Sequence, residues 1–400
     1  MSGFFAPRLG RIKHSPSNAA SQVVRELRAQ GRDIIGLTIG EPDFPTPEHV
    51  KRAAAAAMAR DETRYTTVDG TEELKEAVRA KFKRENGLEY GRGEITVASG
   101  AKQIIYNAMM ATLSEGDEVV IPVPAWVSYL DMTLVADGIP MPVKCSEAQG
   151  FKLTPAQLEA AITPRTKWLM LNSPSNPTGA VYTRAELKAL SEVLLRHPHV
   201  WVLSDDIYEH LLFDDRDYAT IAQIEPALHS RTLTVNGVSK VYAMTGWRIG
   251  YAGGPAELIR NMAKLQSQST SNPCSISQAA AVEALTGPQG LVRERALELQ
   301  QRRDIVVPML NEAPGLTCST PGGAFYVFPN CGGVLGKKTP AGKTLESEQD
   351  FALYLVDNGV AGIQGEAYGM TPYIRLSFAA DIETLKEACR RVQRACAALS

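Results

Sequence analysis

Several threonines mark helix starts along the chain, and apolar residues at helical spacing follow each of them. Thr46 precedes a proline and an acid, the order expected for an N-cap, a first helical residue and a first-turn acid. Thr71 opens a second segment of this kind. Thr154 and Thr183 stand three residues before a Gln and a Glu, which is the spacing of a capping box. These signals predict a helix after each threonine.

Short apolar runs alternate with these helices and predict buried strands. Four of them lie at residues 118–123, 167–171, 200–203 and 232–235. Strands that alternate with helices imply crossover connections and a mostly parallel sheet. Three of the runs lead into Asn172, Asp205 and Asn236. Because ligands of open α/β sheets bind beyond the carboxyl ends of the strands, we expect the chemistry of the protein to lie there.

The last third of the chain has a different pattern, which predicts a smaller α+β domain. Residues 324–328 and 373–378 alternate in polarity like half-exposed strands, with helical patterns around them. We therefore expect an α/β fold with a large domain at residues 46–290, whose mostly parallel central sheet is flanked by helices, and a small domain at 291–400. The N-terminal segment, residues 1–45, is expected to belong with the small domain.

Composition excludes several classes of function. The chain has 400 residues, of which 44% are hydrophobic, enough for two packed domains. Its 42 basic and 44 acidic residues leave a formal net charge of −2, so charge gives no reason to expect nucleic acid or an anionic membrane as partner. The six cysteines form no CxxC pair, which predicts reduced thiols and no metal site. No segment resembles a signal peptide or a membrane span, so we expect a soluble, cytoplasmic protein.

Four motifs stand in a fixed order along the chain. They are NSPSNPTG at 172–179, SDDIYEH at 204–210, NGVSKVYAMTGWRIGYAGG at 236–254 and IRLSF at 374–378. Together they resemble the fold type I aminotransferases that depend on pyridoxal 5′-phosphate (PLP), and most closely the bacterial aspartate aminotransferase subgroup, some members of which also transaminate prephenate. The resemblance implies the PLP-dependent transferase fold, amino-group transfer between an amino acid, expected to be acidic like aspartate, and a 2-oxo acid such as 2-oxoglutarate, and a homodimer with shared active sites.

The resemblance assigns the catalytic residues that hold PLP. Lys240 matches the lysine that forms the Schiff base and then moves a proton between Cα and C4′. Asp205, rather than the adjacent Asp206, matches the aspartate that keeps the ring nitrogen protonated. Tyr208 and Asn176 correspond to the donors to the phenolate oxygen. The competing interpretation gives these residues no role in cofactor binding: Lys240 is then a surface lysine, Asp205 a solvated acid at a strand end, and the Asn176 motif only a turn.

Further residues are expected around the phosphate and the ring. Arg248 matches the family arginine that binds the phosphate. Gly100, Ala101 and Lys102 follow a strand and open a helical pattern, so the backbone amides there suit an anion. Tyr65 resembles the tyrosine that reaches the phosphate of the neighbouring subunit. The ring itself is expected to stack on Trp126, although a core tryptophan is the competing interpretation. Gly237 replaces a serine of many relatives.

Substrate recognition is expected to rest on basic residues. Arg375 lies in the middle of a predicted strand, where a charge is costly unless it is paired, and therefore suits the substrate α-carboxylate. The Gly40 amide is the family's second contact to this carboxylate, and the site is completed by Asn176 and Trp126. Residues that resemble the family's recognition of a distal carboxylate are Lys13, Ser15, Ser17 and Lys102.

Several positions depart from the family pattern and leave alternatives open. Ala125, Ala280 and Glu366 replace a tyrosine, a tryptophan and a serine, and Asn18 stands where an apolar residue is expected. We expect Ala125, Ala280 and Glu366 to alter the surroundings of the substrate. For Glu366 the competing interpretation is a solvated side chain, the commoner fate of a glutamate. They motivate a second hypothesis, β- or γ-elimination, replacement or synthase chemistry at the same site. A third hypothesis is a non-catalytic protein that has kept the fold; it predicts loss of Lys240, which is present.

Overall fold

The chain folds around a central sheet of seven strands. The computed structural model describes residues 4–400, apart from the side chain of Ser17. Its strands are β1 (Ile35–Gly36), β2 (Ile95–Ala98), β3 (Glu118–Val123), β4 (Ile139–Lys144), β5 (Thr166–Asn172), β6 (Trp201–Asp205), β7 (Thr232–Gly237), β8 (Gly250–Gly253), β9 (Tyr326–Val327), β10 (Val360–Ala361), β11 (Ile363–Gln364) and β12 (Ile374–Ser377). The large sheet has the strand order β2-β8-β7-β6-β5-β3-β4. Its β8 is antiparallel to both neighbours and the other neighbouring strands are parallel to each other, which confirms the prediction of a mostly parallel α/β sheet.

Helices cover both faces of this sheet. In the described part of the chain they are α1 (Pro16–Ala29), α2 (Glu48–Ala59), α3 (Glu72–Lys81), α4 (Ala101–Thr112), α5 (Ser128–Val135), α6 (Pro155–Ala161), α7 (Arg184–Arg196), α8 (Ile221–Ile224), α9 (Ala256–Ser267), α10 (Ser275–Thr286), α11 (Gly290–Asn311), α12 (Glu348–Asp357) and α13 (Ile382–Ala397). Val119 and Ile121 of β3 belong to a core with residues of α4, α5 and α9, whereas Val120 belongs to one with α6 and α7. This alternation is expected for a strand buried on both faces. None of the helices between residues 4 and 400 has the length and apolarity needed to cross a bilayer.

A helix follows each of the four threonines, as predicted, but only three of the threonines cap their helix. The side chain of Thr71 caps α3, and Thr154 and Thr183 form capping boxes at α6 and α7. Thr46 does not cap α2, because its hydroxyl donates to the backbone oxygen of Ala243 at 2.7 Å, and Pro47 is the residue at the N-cap. A long-range contact has taken the hydroxyl that the local pattern assigned to the helix.

Two small sheets complete the strands of the fold. The C-terminal third forms the three-stranded sheet β11-β12-β9, and its β10 pairs with β1 of the N-terminal segment in the two-stranded sheet. The prediction of half-exposed strands is wrong there: every residue of β9 and β12 is buried. The same core holds Phe325, Leu376 and Phe378 together with residues of α11 and α13, so both strands are covered. Parallel pairing of β1 with β10 supports grouping the N-terminal segment with the C-terminal part, and the boundaries near residues 46 and 291 stay a prediction.

A buried ion network fixes the chain segments that carry the polar residues at the sheet edge. Lys81, fully buried at the end of α3, donates to Glu209. Asn86 and Asn236 also donate to this carboxylate, each at 2.7 Å. Glu209 follows β6 closely and Asn236 belongs to β7, so the network ties the ends of both strands to α3. Lys81 also lies 3.4 Å from Glu85, so its ammonium occupies the space between the two acids.

Candidate active site

A cavity of about 220 Å³ opens at the carboxyl ends of the central strands. Residues from β5, β6, β12 and the loop after β7 meet there, together with the N-terminus of α4. The lining residues are Ser15, Asn18, Gly40, Ala101, Lys102, Ile105, Trp126, Tyr129, Asn172, Asn176, Asp205, Ile207, Tyr208, Ser239, Lys240, Thr245, Arg248, Tyr326 and Arg375. Eleven residues that the sequence analysis assigned to the site lie in this set, although they come from widely separated parts of the chain.

Lys240 projects into the cavity from the loop that follows β7. Its Nζ donates to the backbone oxygen of Gly40 at 2.7 Å and lies 5.6 Å from the centre of the Tyr208 ring. Withdrawal from water lowers the pKa of Lys240 to about 8, against the smaller opposing effect of the Asp205 charge. The neutral amine, the form that acts as a nucleophile, is therefore far more populated near neutral pH than in a lysine of ordinary pKa.

Asp205, the last residue of β6, is held by a tyrosine that the sequence analysis missed. The Tyr129 hydroxyl donates to its Oδ2 at 2.6 Å, and the Ile207 backbone N–H donates to its Oδ1 at 3.3 Å. Burial raises the pKa of Asp205 to about 6, against the hydrogen bond from Tyr129 that lowers it. A cation bound beside this carboxylate would therefore be strongly favoured, since burial leaves it short of charge compensation.

The neighbouring Asp206 points away from the cavity. Its Oδ1 accepts a hydrogen bond of 2.6 Å from Ser204, and burial raises the pKa of Asp206 to about 7. Of the two adjacent acids, only Asp205 lines the cavity. The geometry therefore supports the choice of Asp205 as the acid of the site, which the sequence pattern alone left easy to confuse.

Arg375 occupies the middle of β12 and is only 2% exposed. Its Nη1 donates to Asn176 Oδ1 at 3.0 Å and its Nη2 to the Thr38 backbone oxygen at 2.5 Å. The guanidinium lies 4.5 Å from the centre of the Tyr326 ring. No carboxylate in the described residues pairs with it, and its Nε is buried without a partner. Because an unpaired buried cation is costly, this arrangement suits an incoming carboxylate.

Tyr208 and Asn176 place two polar groups on one side of the cavity. The Tyr208 hydroxyl shares a hydrogen bond of 2.8 Å with the Tyr326 hydroxyl. Asn176 uses its oxygen to accept from Arg375, so its amide N–H₂ group is left as a donor. Tyr326 was also missed by the sequence analysis, although it lies within the apolar run 324–328.

The N-terminus of α4 and Arg248 form a second cationic corner. Gly100 has φ of +94°, and a Cβ there would meet Arg248 Nη2 at 2.4 Å. A Cβ on Gly250 would meet the Ala101 nitrogen at 2.1 Å. The two glycines thus permit the guanidinium and the helix start to approach each other closely, and exposed N–H groups beside an arginine form a typical phosphate site.

Lys102 and Trp126 lie next to each other in the lining of the cavity. The Lys102 Nζ lies 4.8 Å from the centre of the Trp126 ring, within the range of a cation–π interaction. Partial burial, followed by the charge of Arg248, lowers the pKa of Lys102. The wall therefore combines an apolar face with a positive charge.

Three predicted site residues lie outside the set that lines the cavity. Lys13 lines a neighbouring cavity of about 500 Å³ that shares Ser15, Lys102 and Arg248 with the first. Gly100 does not line the cavity, although the next residue, Ala101, does. Tyr65 is 92% exposed on the surface. The side chain of Ser17 lies outside the described part of the structure.

The prediction that Ala125, Ala280 and Glu366 alter the surroundings of the substrate is wrong, because none of the three lines the cavity. Ala280 is wholly buried in α10 within the hydrophobic core. Glu366 is exposed and does not line the cavity. Ala125 borders a separate void of about 20 Å³ behind Tyr129, where a larger side chain would otherwise fill space. Asn18 does line the cavity. The motive for elimination or synthase chemistry therefore weakens, because three of the four departures lie elsewhere.

The residues present fit PLP. The cavity offers an amine in Lys240 and a buried carboxylate in Asp205 that lacks a cation. It also offers the Tyr208 and Asn176 donors, and a phosphate corner where added Cβ atoms on two glycines would clash. Each feature answers a separate group of the cofactor: its aldehyde, its ring nitrogen, its phenolic oxygen and its phosphate.

Comparison with known proteins agrees with this geometry. Residues 32–392 match the family model for aminotransferase class I and II. The chain is 58% identical over 398 residues, 99% of this chain and 100% of the relative, to the aspartate/prephenate aminotransferase of Cereibacter sphaeroides. The crystal structure of the aspartate aminotransferase from Rhizobium meliloti superposes with a TM-score of 0.97 at 56% identity, covering 100% of both chains. The Thermus thermophilus aspartate aminotransferase with maleate gives a TM-score of 0.91 at 41% identity, covering 98% of this chain and 99% of that chain.

Relatives at this identity over nearly the whole chain share its fold and its reaction type. The protein is accordingly a PLP-dependent transaminase of fold type I, which transfers an amino group between an amino acid and a 2-oxo acid. The chain belongs to the aminotransferase class I and II family.

Proposed function

We propose that this enzyme transfers the amino group of L-aspartate to 2-oxoglutarate, with Lys240 as the residue that binds PLP covalently and carries the proton. The observation that carries the proposal is that the Lys240 amine shares one cavity with the carboxylate of Asp205 and the guanidinium of Arg375, and that both charges act on its pKa. Acidic donors are supported by the relatives, which include aspartate/prephenate and aspartate aminotransferases, and by the maleate complex of the Thermus relative.

Bound PLP supplies an aldehyde that reacts with amines and a ring that takes up the electron pair released when the Cα–H bond breaks. Asp205 would hold the ring nitrogen in its protonated form, because a buried carboxylate favours an adjacent cation. Tyr208 and Asn176 would donate to the phenolic oxygen. The phosphate would lie between Arg248 and the amides at residues 100–102, and Trp126 would cover one face of the ring.

Lys240 has two tasks in this proposal. Its neutral amine holds the cofactor between turnovers, which the lowered pKa of about 8 supports. With a substrate amine in its place on the cofactor, the free Lys240 amine would accept the proton from Cα and would return a proton at C4′. The Gly40 oxygen, 2.7 Å from Nζ, keeps the amine in the cavity during this exchange. General acid–base transfer by a positioned group contributes about 10²- to 10⁴-fold in rate.

Substrate carboxylates are recognised at two ends of the cavity. Arg375 binds the α-carboxylate through the face that its contacts to Asn176 and Thr38 leave open, with Gly40 beside it. Lys102, which lines the same cavity, attracts the distal carboxylate of an acidic side chain, and Ser15 and Asn18 add polar groups to the lining. Lys13 adds positive charge in the adjoining cavity.

A homodimer is part of the proposal. Tyr65 is 92% exposed and is remote from the cavity of its own chain, although its sequence context matches the tyrosine that reaches a neighbouring subunit's phosphate. Arg248 and Lys102 are exposed at the mouth of the cavity, where a second subunit would shield them. Tyr65 from the partner would then complete the phosphate corner.

Single-turnover experiments test the function. L-Aspartate without an acceptor should remove the visible absorption of the lysine-bound cofactor and release one equivalent of oxaloacetate. Lys240→Ala cannot form the lysine-bound cofactor and lacks the proton carrier, so its release of oxaloacetate should be slower by at least roughly 10²-fold. Lys264→Ala, which alters an exposed lysine of α9, serves as the control and should match the wild type. An unchanged rate in Lys240→Ala, or faster conversion by L-alanine than by L-aspartate, would contradict the proposal.

The pH dependence of cofactor loading tests the environment of Lys240. Only the neutral amine attacks an aldehyde, so covalent incorporation of PLP into the apoprotein should accelerate with rising pH and level off above about 8, the lowered pKa of Lys240. Asp205→Asn removes a charge that raises this pKa, and should move the midpoint to lower pH. Trapping with borohydride and counting the label measures the rate, and a midpoint near the ordinary lysine pKa of 10.5 would overturn the assignment.

Subunit complementation tests the shared site. Lys240→Ala and Tyr65→Ala each impair both sites of their own homodimers. Mixed after gentle unfolding and refolding, half of the dimers should be hybrids with one intact site, restoring about a quarter of wild-type activity. Recovery of no activity beyond that of the separate variants would show that Tyr65 does not serve a neighbouring subunit.

A further inference from the structure

Tyr326 lies at the junction of three groups of the site. Its hydroxyl is 2.8 Å from the Tyr208 hydroxyl, and its ring lies 4.5 Å beneath the Arg375 guanidinium. A Cβ added to Gly40 would meet the same hydroxyl at 2.3 Å, so the chain leaves room for it with a glycine. Tyr326 itself is 1% exposed and is fixed by pairing of β9 with β12 opposite Ser377. It is therefore a rigid contact between the Arg375 and Tyr208 side chains.

The hydrogen bond between the two tyrosines has one productive direction. A hydroxyl has one hydrogen to donate and can accept as well. Tyr208 lines the cavity and must donate into it to reach the cofactor's phenolic oxygen. Its only hydrogen is then used, so Tyr326 must be the donor and Tyr208 the acceptor. Chains of hydrogen bonds of this kind strengthen one another.

The geometry points to Tyr326 as a positioning residue that couples α-carboxylate binding at Arg375 to the strength of the Tyr208 hydrogen bond to the cofactor. A cation above the ring makes the Tyr326 hydroxyl a better donor. A substrate carboxylate on Arg375 neutralises that cation, so Tyr326 donates less strongly to Tyr208. Tyr208 in turn donates less strongly to the phenolic oxygen, which becomes easier to protonate.

Two links therefore run from Arg375 to the donors at the phenolic oxygen. The first is direct, from Nη1 to Asn176 Oδ1 at 3.0 Å. The second passes through the Tyr326 ring and hydroxyl to Tyr208. The direction of the electrostatic effect agrees with this second link: burial raises the pKa of Tyr326 to about 12, and Arg375 acts against burial to lower it.

The inference rests on the proposed role of Tyr208 and is tested on the holoenzyme by titration of its visible absorption. Tyr326→Phe keeps the ring beneath Arg375 and removes only the hydroxyl. Its titration midpoint should rise by roughly 0.5 pH unit, since one bond of a cooperative chain is lost. Maleate, a dicarboxylate without an amino group, should raise the midpoint of the wild-type enzyme, and should raise it less in Tyr326→Phe.

Two further variants separate coupling from a general structural effect. In a Tyr208→Phe background, Tyr326→Phe should produce no additional change in midpoint or in the maleate response, because the intermediate hydroxyl is missing. Tyr368→Phe alters another buried tyrosine whose ring lies 5.2 Å from the Arg375 guanidinium, and should leave the midpoint unchanged.

The outcomes distinguish this inference from the proposed function. An unchanged midpoint and a full maleate response in Tyr326→Phe would overturn the coupling while leaving Lys240 and Asp205 in their roles. Visible absorption that persists in Lys240→Ala would instead overturn the proposed function. Should Tyr326→Phe fail to fold, Tyr208→Phe alone still decides the matter, because its maleate response should shrink if the second link exists and stay full if it does not.

Discussion

Withdrawal of charged side chains from water is the constraint on which the rest of the structure depends. Asp205 and Arg375 are almost wholly buried, and Lys240 lines the same cavity. Buried charges are stable only when other charges and hydrogen bonds compensate them. The protein supplies part of this compensation and leaves the rest to ligands. The pKa of Asp205 rises to about 6, the pKa of Lys240 falls to about 8, and Arg375 has no carboxylate partner among the described residues.

Rigid elements hold these groups in place. Asp205 ends β6 and Arg375 is inside β12, so backbone pairing fixes both. The buried Lys81–Glu209 network anchors the segments that follow β6 and β7. Functional groups held by strands and by further hydrogen bonds keep their geometry better than groups on free loops. The strands and hydrogen bonds that make burial of these charged groups tolerable therefore also fix their orientation in the site.

The fold and the location of the site could be predicted from the sequence because these signals are local, whereas the roles of the site residues followed from the resemblance of four ordered motifs to a known family. Alternating apolar runs indicated the parallel sheet, and polar residues at strand ends indicated where ligands bind. The contributions of Tyr129 and Tyr326 were not visible, because each depends on a partner 76 or 118 residues away. The same reason explains the errors at Thr46, whose hydroxyl bonds Ala243, and at Ala280, which lies in the core rather than the pocket.

Identification of the modified lysine tests the central claim most directly. The holoenzyme would be reduced with borohydride, digested, and the peptide carrying the reduced cofactor sequenced by mass spectrometry. The account predicts label at Lys240 in stoichiometric amount, because its amine combines a lowered pKa with a place in one cavity with Asp205 and Arg375. Label on Lys102, the other lysine lining the cavity, with Lys240 unmodified would contradict it.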